Sequence, residues 1–186
     1  MLSYAFWHWK QDHVPRDVYE ARQREFQSAL AADPPAGFLQ STVSRLIDAP
    51  WAAGGGPGYE DWYLVRDMAS LAPLNEAAVS GSRRAPHDAA ARLAAGGAAG
   101  LYGLKLGAPL RAASTAVWFG KPQGMSYPAL FALVEPLVQA GSAVLWMRQM
   151  VLGPTPEFCL QSSEPVAVPP PLAATVLRLE PVWPAG

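Results

Sequence analysis

The chain has 186 residues, of which 51% are hydrophobic and 16% charged, and its formal net charge is -1. That balance excludes a disordered chain, and the lack of any basic block excludes the electrostatic footprint of a nucleic-acid binder. The single cysteine, Cys159, excludes an intrachain disulfide and a paired-cysteine metal site. No apolar run reaches the ~18 residues of a membrane span and no signal-peptide pattern opens the chain, so the expected partners include no membrane and the expected compartment is the cytoplasm.

Leu2 to Trp9 reads as a strand. Its alternating faces, Leu2, Tyr4, Phe6, His8 and Ser3, Ala5, Trp7, Trp9, both carry large apolar groups, which predicts burial on both sides. A helix is expected from Pro15 to Ala32, with Pro15 at its first position, where a missing N–H costs nothing, and Asp17 facing the positive end of the dipole. Val18, Tyr19, Phe26, Ala29 and Leu30 form its apolar side, with Glu20, Arg24 and Gln27 opposite. Gly37 to Ile47 and Glu60 to Arg66 read as an antiparallel pair joined by a glycine-rich, tolerant connection, Ala49 to Gly58. Leu71 to Val79 is a short helix. Pro86 opens another, expected to run to Ala95 and close on Gly96-Gly97 before a strand from Gly100 to Leu106.

The second half follows a similar order. Ser114 to Gly120 is a strand, and Ser126 caps a helix from Tyr127 to Ala140 that Pro136 should kink or end early. Ala143 to Leu152 and Glu157 to Ser162 form a hairpin. Val166 to Pro171 is too rich in proline to supply a helix, and a last strand runs from Thr175 to Val182. The pattern is strand, helix, strand, strand, helix, strand, twice, the second time without its second helix. This reads as an α+β chain of two ferredoxin-like repeats, residues 1–107 and 112–186, and because strands such as Leu2–Trp9 are apolar on both faces, the antiparallel sheets of the two repeats are expected to pack on each other as one intramolecular barrel.

That order on doubly apolar strands resembles the dimeric α/β-barrel superfamily in tandem form. The stretch Glu60-Asp61-Trp62-Tyr63 through Asn75-Glu76-Ala77-Ala78 to Pro86-His87-Asp88 is also similar to bacterial proteins without an assigned activity. The resemblance implies two four-stranded sheets enclosing a cavity. It also implies a choice among cofactor-free monooxygenases, haem enzymes and small-molecule-binding proteins. No catalytic motif of any member is matched, so whether the chain is an enzyme stays open.

Candidate ligand-binding residues are polar groups among apolar ones and tryptophans on strands. His87 lies near a helix start beside Asp88, where it could hold haem iron or act as a base; its bland alternative is a surface histidine. His8 sits on a strand among aromatics and would either face a pocket or be a core histidine. Arg66 and Arg148 interrupt apolar strands, as do Lys105 and Arg178. Each needs a counter-charge, from the protein or from an anionic ligand, or access to solvent. Trp9, Trp62 and Trp146 would line a cavity for an apolar or aromatic molecule, or simply fill the core. No histidine spacing supports a metal site. The readings carried forward are a small-molecule-binding protein, an oxidoreductase that is cofactor-free or haem-dependent, and an assembly subunit, with a homo-oligomer allowed by each.

Overall fold

The structure is a computed structural model that describes residues 1–47, 50–51, 57–151 and 153–184. The expected tolerant connection, Ala49 to Gly58, falls mostly outside these residues, as does Leu152. Eight strands form a closed antiparallel barrel: β1 (Leu2–Lys10), β2 (Phe38–Leu46), β3 (Gly58–Val65), β4 (Ala94–Leu106), β5 (Thr115–Phe119), β6 (Ala143–Arg148), β7 (Phe158–Ser162) and β8 (Ala174–Trp183). Around the barrel the order is β1-β3-β2-β8-β5-β7-β6-β4. The arrangement β4-β1-β3-β2 of the first four strands recurs as β8-β5-β7-β6, and β2–β8 and β4–β6 pairing closes the ring. Every strand of the barrel therefore has two partners, and among the described residues the barrel has no open edge.

The pleat explains the doubly apolar strands. Trp7 pairs with Glu60 and Ala5 with Trp62 facing inward, while Phe6 pairs with Asp61 and His8 with Tyr59 facing the helices. The barrel interior is occupied by Trp7, Trp62, Trp118, Trp146 and Tyr102, with Trp51 packed against them. Neighbouring rings meet at 5.3 Å for Trp51–Trp118, 5.4 Å for Trp62–Trp146 and 5.6 Å for Trp7–Trp118, all tilted or edge-on. Such pairs are worth ~0.5–1.5 kcal/mol each beyond their burial. The rings of Trp7, Trp62, Trp118 and Trp146 fill the barrel interior.

Helices α1 (Arg16–Ala32), α2 (Leu71–Ala78) and α3 (Arg84–Ala91) belong to the first half, and α4 (Tyr127–Gln139) covers the second. Pro15 is the residue before α1 rather than its first. The buried face of α1 is Tyr19, Gln23, Phe26, Gln27 and Leu30. Val18 is exposed, and Gln27, placed by its polarity on the outer side, is fully buried. Its amide is satisfied there: Nε2 donates to the Tyr63 hydroxyl at 2.9 Å, and Oε1 accepts from Ser41 Oγ at 2.7 Å. Either bond lost in place would cost ~1–3 kcal/mol. Ser126 caps α4 as expected, and the helix continues through Pro136 to Gln139 rather than ending early.

The largest departure is at Gly96-Gly97. These residues do not stop α3; they lie inside β4, which begins at Ala94. Their smallness serves close approach. A Cβ at Gly96 would sit 2.7 Å from the Trp9 ring, and one at Gly97 would sit 2.6 Å from the Phe6 ring. Glycine here makes room for aromatic neighbours on β1.

Candidate functional site

A cavity of about 700 Å³ lies between the outer face of β1, β3 and β4 and helices α1, α2 and α3. That is within the usual range for small-molecule sites. Its walls are largely apolar, with Phe6, Phe26, Leu71 and Leu74 prominent. Its inner end is a polar network built from three elements.

His8 of β1 is 1% exposed, with its ring between Phe6 and Tyr59 at centroid distances of 5.2 and 5.4 Å. Its Nε2 lies 2.9 Å from Asp61 Oδ1 and its Nδ1 lies 2.6 Å from the Tyr19 hydroxyl of α1. The Tyr63 hydroxyl donates to the other Asp61 oxygen at 2.7 Å and accepts from Gln27. A carboxylate can only accept, so the pair assigns the imidazole proton to Nε2. Nδ1 then accepts from Tyr19. Burial, reinforced by the charge of Asp61, pushes the Tyr19 and Tyr63 hydroxyls well above the ordinary tyrosine range. Both therefore stay protonated, as these donor roles require. Tyr4 and Gln23 add further polar atoms to the lining.

The outer part of the cavity includes the exposed Asn75 and His87, whose side chain is 31% exposed. His87 Nδ1 lies 3.2 Å from Asp88 Oδ1, and its ring packs edge-on against Phe26 at 5.3 Å. Of the residues singled out from the sequence, the cavity brings together His8 and His87. It does not include Trp9, Trp62 or Trp146. Trp62 and Trp146 point into the barrel, and Trp9 packs against the same interior cluster. Arg66, Lys105 and Arg178 are exposed and reach water. Arg148 is half-buried and donates to the Thr155 carbonyl at 2.6 Å. Among the described residues, none that lines the cavity is a lysine or an arginine.

Sequence reasoning passed over Asp61, Tyr19 and Tyr63 as site residues. A signal existed for one of them: Glu60-Asp61 places two carboxyls in the middle of a strand that is buried throughout. A buried acid requires partners on each face. Among the described residues no group of three His, Cys, Asp or Glu converges to hold a metal. No described helix is long and apolar enough to cross a membrane.

No protein-family model matches the chain, and no curated protein does. Solved structures do. A candidate monooxygenase from Lactobacillus acidophilus NCFM superposes with a TM-score of 0.61 at 9% identity, covering 97% of this chain and 94% of that one. An anthrone oxidase-like protein gives a TM-score of 0.49 at 13% identity, covering 88% and 73%. A variant of chlorite dismutase from Candidatus Nitrospira defluvii gives 0.41 at 12% identity, covering 88% and 77%. With eight antiparallel strands closed by β2–β8 and β4–β6 pairing, the chain carries the dimeric α/β-barrel fold, its two halves joined in one polypeptide.

Proposed function

We propose that the cavity on the outer face of β1, β3 and β4 binds a flat, largely apolar, uncharged molecule bearing a hydrogen-bond donor, and exchanges a proton with it through Tyr19 and His8. The observation that carries this reading is the buried Tyr19–His8–Asp61–Tyr63 network at the inner end of an apolar cavity. Apolar walls supply affinity, and a few convergent polar groups supply orientation. An anionic ligand is disfavoured. It would meet Asp61 with no lysine or arginine in the lining to offset it.

The same charge argument bears on haem. His87 could approach a flat group, but two propionates would lack cationic partners and would share the cavity with Asp61. The residues present do not fit that cofactor.

The base favours a second, narrower reading, cofactor-free oxygenation. Removing a proton from a phenol or enol leaves an electron-rich anion that dioxygen can oxidise. The reacting carbon loses two hydrogens and gains one oxygen atom, the other oxygen atom leaves with those hydrogens as water, and the substrate itself supplies all the electrons. His8, oriented by Asp61, is the base, and Tyr19 is the group through which the proton reaches it.

Binding is tested by titrating 2-naphthol and 2-naphthoate by calorimetry against the wild type and against Ala91→Trp, which places bulk at the cavity wall without removing a hydrogen bond. Naphthol should bind the wild type at least tenfold more tightly than naphthoate, and A91W should lose it. Preference for naphthoate, or binding that A91W leaves intact, would sink the proposal. Oxygen uptake with electron-rich polycyclic phenols, abolished in His8→Ala, separates oxygenation from binding alone.

A further inference from the structure

We propose that Glu60 tunes this cavity from inside the barrel: its carboxyl stands behind Asp61 on β3 and, by changing charge, alters the hold of the Asp61–His8 pair on a proton. The inference rests on reading the outer-face cavity as the functional site.

Glu60 and Asp61 are consecutive, are 1% and 2% exposed, and point to opposite sides of one strand. Two networks thus meet back to back. Outside, Asp61 is held by His8 and Tyr63. Inside, Trp7 Nε1 donates to one Glu60 oxygen at 3.3 Å and Trp62 Nε1 to the other at 3.1 Å. Gln161 of β7 also acts on the carboxyl, lowering its pKa, and its own Oε1 accepts from Trp146 Nε1 at 3.0 Å. Trp7 and His8 are neighbours on β1, so both networks also share that strand.

Burial dominates at Glu60. It pushes the carboxyl up to about 7, against the hydrogen bonds from Trp62, Trp7 and Gln161, with Asp61's charge adding to the rise. The other titratable groups acting on it are Asp61, behind it on the opposite side of its own strand, and Tyr102 on β4 and Cys159 on β7, which share the barrel interior; Arg148 of β6 acts on Tyr102. Tyr102 is pushed up to about 12 and Cys159 is also raised, in both cases mainly by burial, so neither ionises near neutrality. When Glu60 ionises, a second negative charge stands behind Asp61. The Asp61–His8 pair then keeps a proton more firmly and attracts a proton-donating ligand more strongly. The coupling is reciprocal, so Asp61 must act on Glu60 equally.

The experiment is a pH titration by NMR of the ligand-free protein, following the indole N–H signals of Trp7 and Trp62 and the ring signals of His8 and Tyr63. The wild type should show an inflection near pH 7 on the indoles, with a component at the same midpoint on the cavity side. Glu60→Gln should remove that component from both sides. Asp61→Asn should leave the indole inflection in place but move it down by on the order of one pH unit. An indole inflection that never reaches His8 and Tyr63, or a cavity-side component unchanged in Glu60→Gln, overturns the proposal. Should E60Q fail to fold, the wild type and D61N decide: no shared midpoint, or no downward move, overturns it equally. No ligand is involved, so intact coupling beside absent naphthol binding counts against the proposed function alone.

Discussion

The Tyr19 hydroxyl of α1 lies 2.6 Å from His8 Nδ1 of β1, and with the Gln27–Tyr63 bond it ties the first helix to the inner end of the cavity. Tyr19→Phe keeps the ring and its burial but leaves a buried acceptor without a donor. The expected loss is ~1–3 kcal/mol of stability, read by urea denaturation. A larger effect on naphthol affinity than on stability would place Tyr19 in the proton path.

Glu60 gives a pH dependence of stability with a definite sign. Folding carries its carboxyl from 4.5 up to about 7, so the native state binds this proton more tightly than the unfolded chain. The contribution is fully present below about pH 4.5, is lost as pH rises through about 7, and is worth about 3 kcal/mol. Denaturation midpoints of the wild type should fall across that window relative to Glu60→Gln. Parallel profiles for the two proteins would show that Glu60 ionises normally.

Two tryptophans of the barrel interior should respond differently to loss of the indole nitrogen. Trp62 Nε1 donates to Glu60, whereas Trp118 Nε1 is buried with no partner among the described residues. Trp62→Phe and Trp118→Phe remove the same atoms, but only the first leaves a carboxyl oxygen short of a donor. Trp62→Phe should be the more destabilising by ~1–3 kcal/mol. Equal losses in calorimetric unfolding would mean that the Trp62–Glu60 bond contributes nothing net.

Gly97 lies opposite His8 in the β1–β4 ladder, and a Cβ there would come within 2.6 Å of the Phe6 ring and 2.9 Å of the Trp7 carbonyl oxygen. Gly97→Ala should cost ~1–3 kcal/mol through overpacking. Phe6 lines the cavity, so the same substitution should weaken naphthol binding. A neutral substitution by thermal melting would show that the ring can move aside freely.

Residues 1–107, expressed alone, would expose the edges of β2 and β4, which in the whole chain pair with β8 and β6. The fragment should dimerise or aggregate, because unpaired strand edges and a half-barrel of exposed tryptophans both seek a partner. A monomeric fragment with a cooperative melt by analytical ultracentrifugation and circular dichroism would mean that each half has its own core.

The strand order, the helices and the two-sided burial of β1 were legible in the sequence, because a period of two on both faces is a local property of successive side chains. The capping serine of α4 was legible for the same reason. Gly96-Gly97 misled: adjacent glycines look the same whether they end a helix or admit the rings of Phe6 and Trp9, and only the β1–β4 register separates these cases. Gln27 misled because polarity places a residue on the outer face of a helix unless partners wait for it, and Tyr63 and Ser41 are distant in sequence. The tryptophans marked a buried surface, but composition does not say whether that surface is a wall or a filling. Closure of the barrel decided it by bringing the inward rings of β1, β3, β5 and β6 into contact. His8 was visible as a polar group on an apolar strand. Its partners were not, since Tyr19 and Asp61 reach it only when α1 docks on the sheet and β3 pairs with β1. Local chemistry determined which residues could be buried, and the long-range pairing that closes the sheet decided which of them meet.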